Sequence, residues 1–190
     1  MLYTRILVFL SAILLASCIH HKAFIAKPVK SGQALVCPVR INGAYYGVWQ
    51  QGNLHKEIYL FFYTNGIVLS SPRYGSSRSL SDNADSIRSF VRNDPARLEK
   101  LHMEPDFGGF TFTGDTVTIQ VMTYIPQFEW EDYTLKGTVL NDSTINIFSA
   151  RLPSRPTAFD APFRLRFMAM DKPDSLTHNR WKGKNWYWKQ

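Results

Sequence analysis

The side chains best suited to chemistry fall into five groups. Glu129, Glu131 and Asp132 flank Trp130. Two carboxylates about 5–9 Å apart can cleave a glycosidic bond, and an indole beside them can stack a sugar ring. The same residues also suit a solvated entry to a strand around one aromatic, so no catalytic residue is assigned. His102, Glu104 and Asp106 alternate around Pro105. On an extended chain they share one face, but a metal centre needs a further ligand, so neither a metal nor another cofactor is expected. His20 and His21 are adjacent and poorly placed to grip one ion. The serines of 70–86 lack the Gly-x-Ser-x-Gly elbow of a hydrolase nucleophile. Two thiols complete the inventory, Cys18 and Cys37.

The aromatic side chains carry a different expectation. Five Trp, nine Tyr and thirteen Phe occur in 190 residues. In 45–49 and 59–63 large rings occupy both alternating faces of what reads as strand. Either both faces are covered or one lines a cavity. Tyr46, Tyr59, Phe61 and Tyr63 are the candidates to line a site for a small apolar or amphipathic ligand.

The N-terminal residues explain one thiol. Arg5 is followed by an apolar run of about ten residues, 6–15, interrupted by Ser11. That is too short to span a bilayer, which takes about twenty apolar residues, and it fits the apolar region of an export signal. Leu15, Ala16, Ser17 and Cys18 then follow in order. This resembles the lipobox of bacterial lipoproteins. The resemblance implies removal of 1–17 as signal peptide, acylation of Cys18 and attachment to a membrane by that lipid. Ile19 follows the cysteine, where lipoproteins retained in the inner membrane of enteric bacteria carry Asp, so the expected location is the cell outer membrane. Residues 18–32 then form a lipidated tether and 33–190 a single β domain. With Cys18 lipidated, Cys37 has no partner in the chain and, between Val36 and Pro38, reads as a buried thiol in a short strand.

The formal charge is +7. Part of the excess is local, at Lys22, Lys27 and Lys30 and again at Arg180, Lys182, Lys184 and Lys189. An exported protein with such patches meets anionic lipid or envelope surfaces rather than nucleic acid.

The elements that must position these residues are mostly strands. Residues 58–63 are apolar and aromatic without a breaker, Asn65–Gly66 is a favoured tight-turn pair, and 67–69 resume the pattern, giving a hairpin over 57–69. Gly108–Gly109 reads as a turn, and 110–113 and 116–122 form a second hairpin about Gly114–Asp115. In 116–122 Val117, Ile119 and Val121 alternate with Thr116, Thr118 and Gln120, the mark of a half-buried antiparallel strand. Residues 133–140 and 144–148 pair about Asn141–Asp142–Ser143, Phe163, Leu165 and Phe167 alternate with Arg164 and Arg166, and 186–188 suggest a closing strand. Residues 70–86 read as surface loop, and 87–101 as one or two short helices.

About eight antiparallel strands must close or pair with a second sheet. The spacing Gly43-x-x-x-Gly47-x-Trp49, then Tyr59-x-Phe61-x-Tyr63-x-Asn65-Gly66, then Gly114–Asp115–Thr116 and Leu140–Asn141–Asp142–Ser143, resembles small lipocalin-like lipoproteins of Bacteroidetes over 43–168. The resemblance implies an all-β lipocalin-like barrel with the helices inserted; a β-sandwich is the alternative. The expected function is binding of a small apolar or amphipathic ligand or an envelope component. The second expectation is a structural or interaction accessory protein of the envelope, and the third a hydrolase.

Overall fold

The computed structural model describes residues 26–29, 37–51, 54–74, 106–125, 129–151, 162–172, 179 and 182–189. Eight strands run in chain order: β1 Gly43–Gln51, β2 Leu54–Phe62, β3 Ile67–Tyr74, β4 Asp106–Thr113, β5 Thr116–Ile125, β6 Glu129–Asn141, β7 Thr144–Arg151 and β8 Phe163–Ala169. Each pairs antiparallel with its sequence neighbour, and β8 returns to β1 to close the barrel. Closure satisfies the backbone groups that an open sheet would leave at its edges.

The barrel's two ends differ. At one end the hairpins are tight: 63–66 between β2 and β3, Gly114–Asp115 between β4 and β5, and Asp142–Ser143 between β6 and β7. Gly66 and Gly114 take φ of 81° and 58°, a region that glycine enters without steric cost. The longest connections, 75–105 and 152–162, join strands at the opposite end.

Side-chain alternation sorts each strand into a lumenal and an outer row. One apolar cluster draws on all eight strands and therefore fills the lumen: Tyr45, Leu60, Phe62, Val68, Phe110, Ile119, Leu135, Ile145 and Leu165 are among its members. Phe62 packs edge-to-face on Tyr45 at 5.4 Å and on Phe110 at 4.8 Å, an arrangement the ring quadrupoles favour. Residues 37–41 plug the tight-turn end with Val39 inside the cluster and Cys37 and Ile41 against it. The Tyr45 hydroxyl fastens the plug by accepting from the Arg40 N–H and donating to the Asp142 carbonyl. Arg40 also pairs with Asp142 at 2.8 Å and lies over the Phe167 ring.

A second cluster lies outside the wall. Tyr59, Phe61, Tyr63, Ile67, Leu69, Phe107 and Met122 are covered by Tyr187 and Trp188. Each such side chain contributes about 1.5–3 kcal/mol when removed from water. The cover is pinned by polar contacts: the Tyr187 hydroxyl donates to the Gly108 carbonyl at 2.8 Å, and Trp188 Nε1–H to the Lys182 carbonyl at 3.0 Å. Residues 26–29 run alongside, joined through a parallel bridge between Val29 and Lys189.

The barrel and its eight strands match the expected fold class, and four local expectations change. β3 continues to Tyr74 where a loop was expected from Ser70, because Ser70, Ser71, Pro72, Arg73 and Tyr74 keep pairing with β2. Gly108 and Gly109 lie inside β4 instead of turning. A Cβ on Gly109 would stand 1.5 Å from the Ala26 carbonyl oxygen, so glycine serves a close approach there. Residues 185–187 form a 3₁₀ turn over the outer cluster instead of a closing strand. Cys37 is half-buried in an irregular segment rather than on a strand. The expected helices of 87–101 and the lipobox lie outside the described residues.

Burial pushes the Tyr45 phenol up to about 12. A phenol raised above its ordinary value near 10 favours the fold fully below pH 10, and that contribution is lost as pH rises from 10 through 12. Urea unfolding should show stability falling across that window. Tyr45→Phe should be less stable at pH 7 by about 1–3 kcal/mol and should decline less steeply above pH 10. Parallel declines in both proteins would contradict the role given to this hydroxyl.

Candidate functional site

The lumen changes character toward the long-connection end. Phe62, Val68 and Phe110 give way along β3 and β4 to Ser70 and Asp106, which face each other in register. Both lie in phase with the lumenal rows, as does Tyr133, which precedes Leu135 by two residues on β6. All three are buried, Ser70 completely. The Ser70 and Tyr133 hydroxyls share a hydrogen bond of 2.6 Å. A buried hydroxyl without such a bond is costly, so the pair fixes both rotamers at the edge of the aromatic fill.

A hydroxyl, a phenol and a carboxyl group thus stand on one lumenal surface, on three different strands. Together they combine donor and acceptor atoms at this end of the lumen. The Ser70 oxygen is bonded to a phenol, which does not draw its proton as an imidazole would. The pair supports recognition through hydrogen bonds.

The four sequence-derived lining candidates occupy the opposite face. Tyr59, Phe61 and Tyr63 belong to the outer cluster, and Tyr46 packs against it. Tyr46 stacks on Tyr59 with centroids 4.8 Å apart, and its hydroxyl reaches Glu57 Oε1 at 3.5 Å. Lys172 lies over the Tyr63 ring at 4.4 Å and donates to the Phe62 carbonyl at 3.3 Å. The structure therefore brings these rings together, but around the wall rather than within the lumen. Of the acidic group, Glu129, Glu131 and Asp132 sit on the first residues of β6, opposite Ile125, Thr123 and Met122. Asp106 of the alternating trio lies in the barrel; His102 and Glu104 lie outside the described residues. Among the described residues no group of three His, Cys, Asp or Glu side chains is placed to hold a metal.

Sequence reasoning missed Ser70 by ending β3 too soon. The available signal was phase, since Ser70 follows the lumenal Val68 by two residues and Tyr133 precedes Leu135 by two.

The fold and site define an all-β protein with an eight-stranded antiparallel closed barrel, consistent with a lipocalin-like fold and with small-molecule binding in general. Comparison with protein-family models, with curated proteins and with solved structures gives no match to this chain.

Ser70→Ala and Tyr133→Phe should each destabilise the protein by about 1–3 kcal/mol, since each removes the buried hydroxyl–hydroxyl bond. Combining them should cost less than the sum by about 1 kcal/mol. Additive losses in urea unfolding would show that the two hydroxyls are not coupled.

Proposed function

We propose that this protein is a lipid-anchored outer-membrane lipoprotein whose barrel binds a small amphipathic molecule at its long-connection end. The observation that carries the binding part is the difference between the two ends. One is sealed by tight hairpins and the segment bearing Val39, while the other places buried Ser70, Asp106 and Tyr133 above the aromatic fill. The fill sets a floor. A ligand descending to it meets hydroxyls and a carboxyl group, so its polar group points inward and its apolar part stays toward the mouth. The anchoring part rests on the apolar run 6–15 and the order Leu15, Ala16, Ser17, Cys18.

A dansyl-labelled fatty alcohol, whose head group both donates and accepts, tests the binding. The chain should take it up with blue-shifted emission, and Tyr133→Phe should weaken the complex about 2- to 10-fold, the loss of one neutral hydrogen bond. Tyr46→Phe, on the outer wall, should leave it unchanged. Absence of uptake, or equal effects of the two substitutions, would overturn the lumenal site.

A second reading is an accessory protein that docks another envelope component. The observation favouring it is the filled lumen, where Tyr45, Phe62 and Phe110 are wholly buried against one another. Native mass spectrometry of protein from its own host separates the two, since a carried small molecule supports the first and a bound protein the second.

A further inference from the structure

Both ends of the described chain lie side by side on the outer wall. The Ala26 N–H donates to Gln120 Oε1 at 3.2 Å, and the Val29 N–H to the Asn65 carbonyl at 2.7 Å. The Lys189 N–H donates to the Pro28 carbonyl at 2.7 Å. The N-terminal segment is therefore seated on β4 and β5 and on the β2–β3 turn, well before residue 32, where a free tether was expected to end. The C-terminal segment folds tightly beside it. The Lys182 N–H donates to the Asn179 carbonyl, the Tyr187 N–H to the Lys184 carbonyl, and the Trp188 indole to the Lys182 carbonyl. Lys182, Lys184 and Lys189 are thereby gathered in one compact turn with all three side chains exposed, and Lys27 lies half-exposed next to Pro28. Neither 26–29 nor 182–189 contains an acidic residue.

We propose that this terminal clamp is the face the barrel lays on the bilayer, with its lysines meeting the phosphates of anionic lipid headgroups. The orientation rests on the lipid anchor at Cys18 proposed above. Only residues 19–25 then separate the acylated cysteine from seated Ala26, a reach of no more than about 30 Å. So short a leash holds the wall that carries the clamp close to the membrane. The lysines then lie within roughly a Debye length of the surface, where each attracts anionic lipid. The wall, not either end of the barrel, then faces the bilayer.

The test uses the chain from residue 18 onward with Cys18→Ser, so that no acyl group contributes. Pelleting is compared with vesicles of phosphatidylcholine alone and with added phosphatidylglycerol, at low and high salt. The chain should bind the anionic vesicles in a salt-sensitive manner. Joint replacement of Lys182, Lys184 and Lys189 by Gln should weaken that binding on the order of a hundredfold. Joint replacement of Lys136, Arg164 and Arg166 by Gln removes the same charge from exposed positions elsewhere on the barrel and should weaken it far less. Equal losses from the two sets, or equal binding to both vesicle types, would overturn the proposal. Intact mass of the protein from its own host tests the anchor separately. Acylated Cys18 with no effect of the clamp lysines sinks the face and keeps the anchor. Selective binding through the clamp without acylation keeps the lipid-binding face and removes the short-leash argument.

Discussion

Strand β2 is apolar on both faces, and the rest of the structure answers to that constraint. Ile58, Leu60 and Phe62 point one way, and Tyr59, Phe61 and Tyr63 the other; all six are buried. A sheet closed into a barrel hides one face at once. It leaves the other against water, at a cost that grows with each ring exposed. The protein resolves this by bringing its two terminal segments over the outer wall. Tyr187 and Trp188 cover the outer rings, and residues 26–29 pair with Lys189 beside them. The Tyr187 phenol, held high by burial, completes its polar contacts with the Gly108 carbonyl and Asn179.

The parts of this fold legible in the sequence are those governed by local pattern. The Asn65–Gly66 and Gly114–Asp115 turns, with the alternation of 116–122 and 163–167, place five strands almost without further information. Both-faced aromatic strands also predicted correctly that either two covers or a cavity were required. Which of the two, and which face was which, was not legible. The answer lies in contacts between residues far apart in sequence, such as Tyr187 with Gly108 and Ala26 with Gln120. The same reason explains Gly109: locally it signals a turn, and only the passing Ala26 carbonyl shows that its missing Cβ serves a close approach inside a strand. The candidate site was hidden for a related cause. Ser70 is loop-like in composition, and only pairing with β2 and β4 makes it strand.

The two ends of the barrel differ in what lines them. At the tight-turn end, Tyr45, Arg40 and Asp142 join the plug to the β6–β7 turn. Hydrogen bonds from Ser143 and Arg40 hold the Asp142 carboxyl below its ordinary range, keeping it ionised opposite the guanidinium. This end is locked by its own contacts. Beyond the aromatic fill, buried hydroxyls replace rings as the lumenal lining. Buried polar pairs contribute less to stability than apolar packing of the same volume, and they specify geometry more narrowly. Here they lie toward the end where the longest connections join the strands.

The same cover that solves the packing problem also fixes the path of the N-terminal segment over the barrel. Seated by Gln120, Asn65 and Lys189, residues 26–29 fix where this part of the chain meets the barrel, at one place on one wall. That wall runs along the barrel axis, so it faces at a right angle to both ends of the lumen. Packing of the outer rings and the seating of 26–29 are in this sense one arrangement, because the segment whose Tyr187 and Trp188 bury Tyr59, Phe61 and Tyr63 also holds Pro28 through the Lys189 N–H.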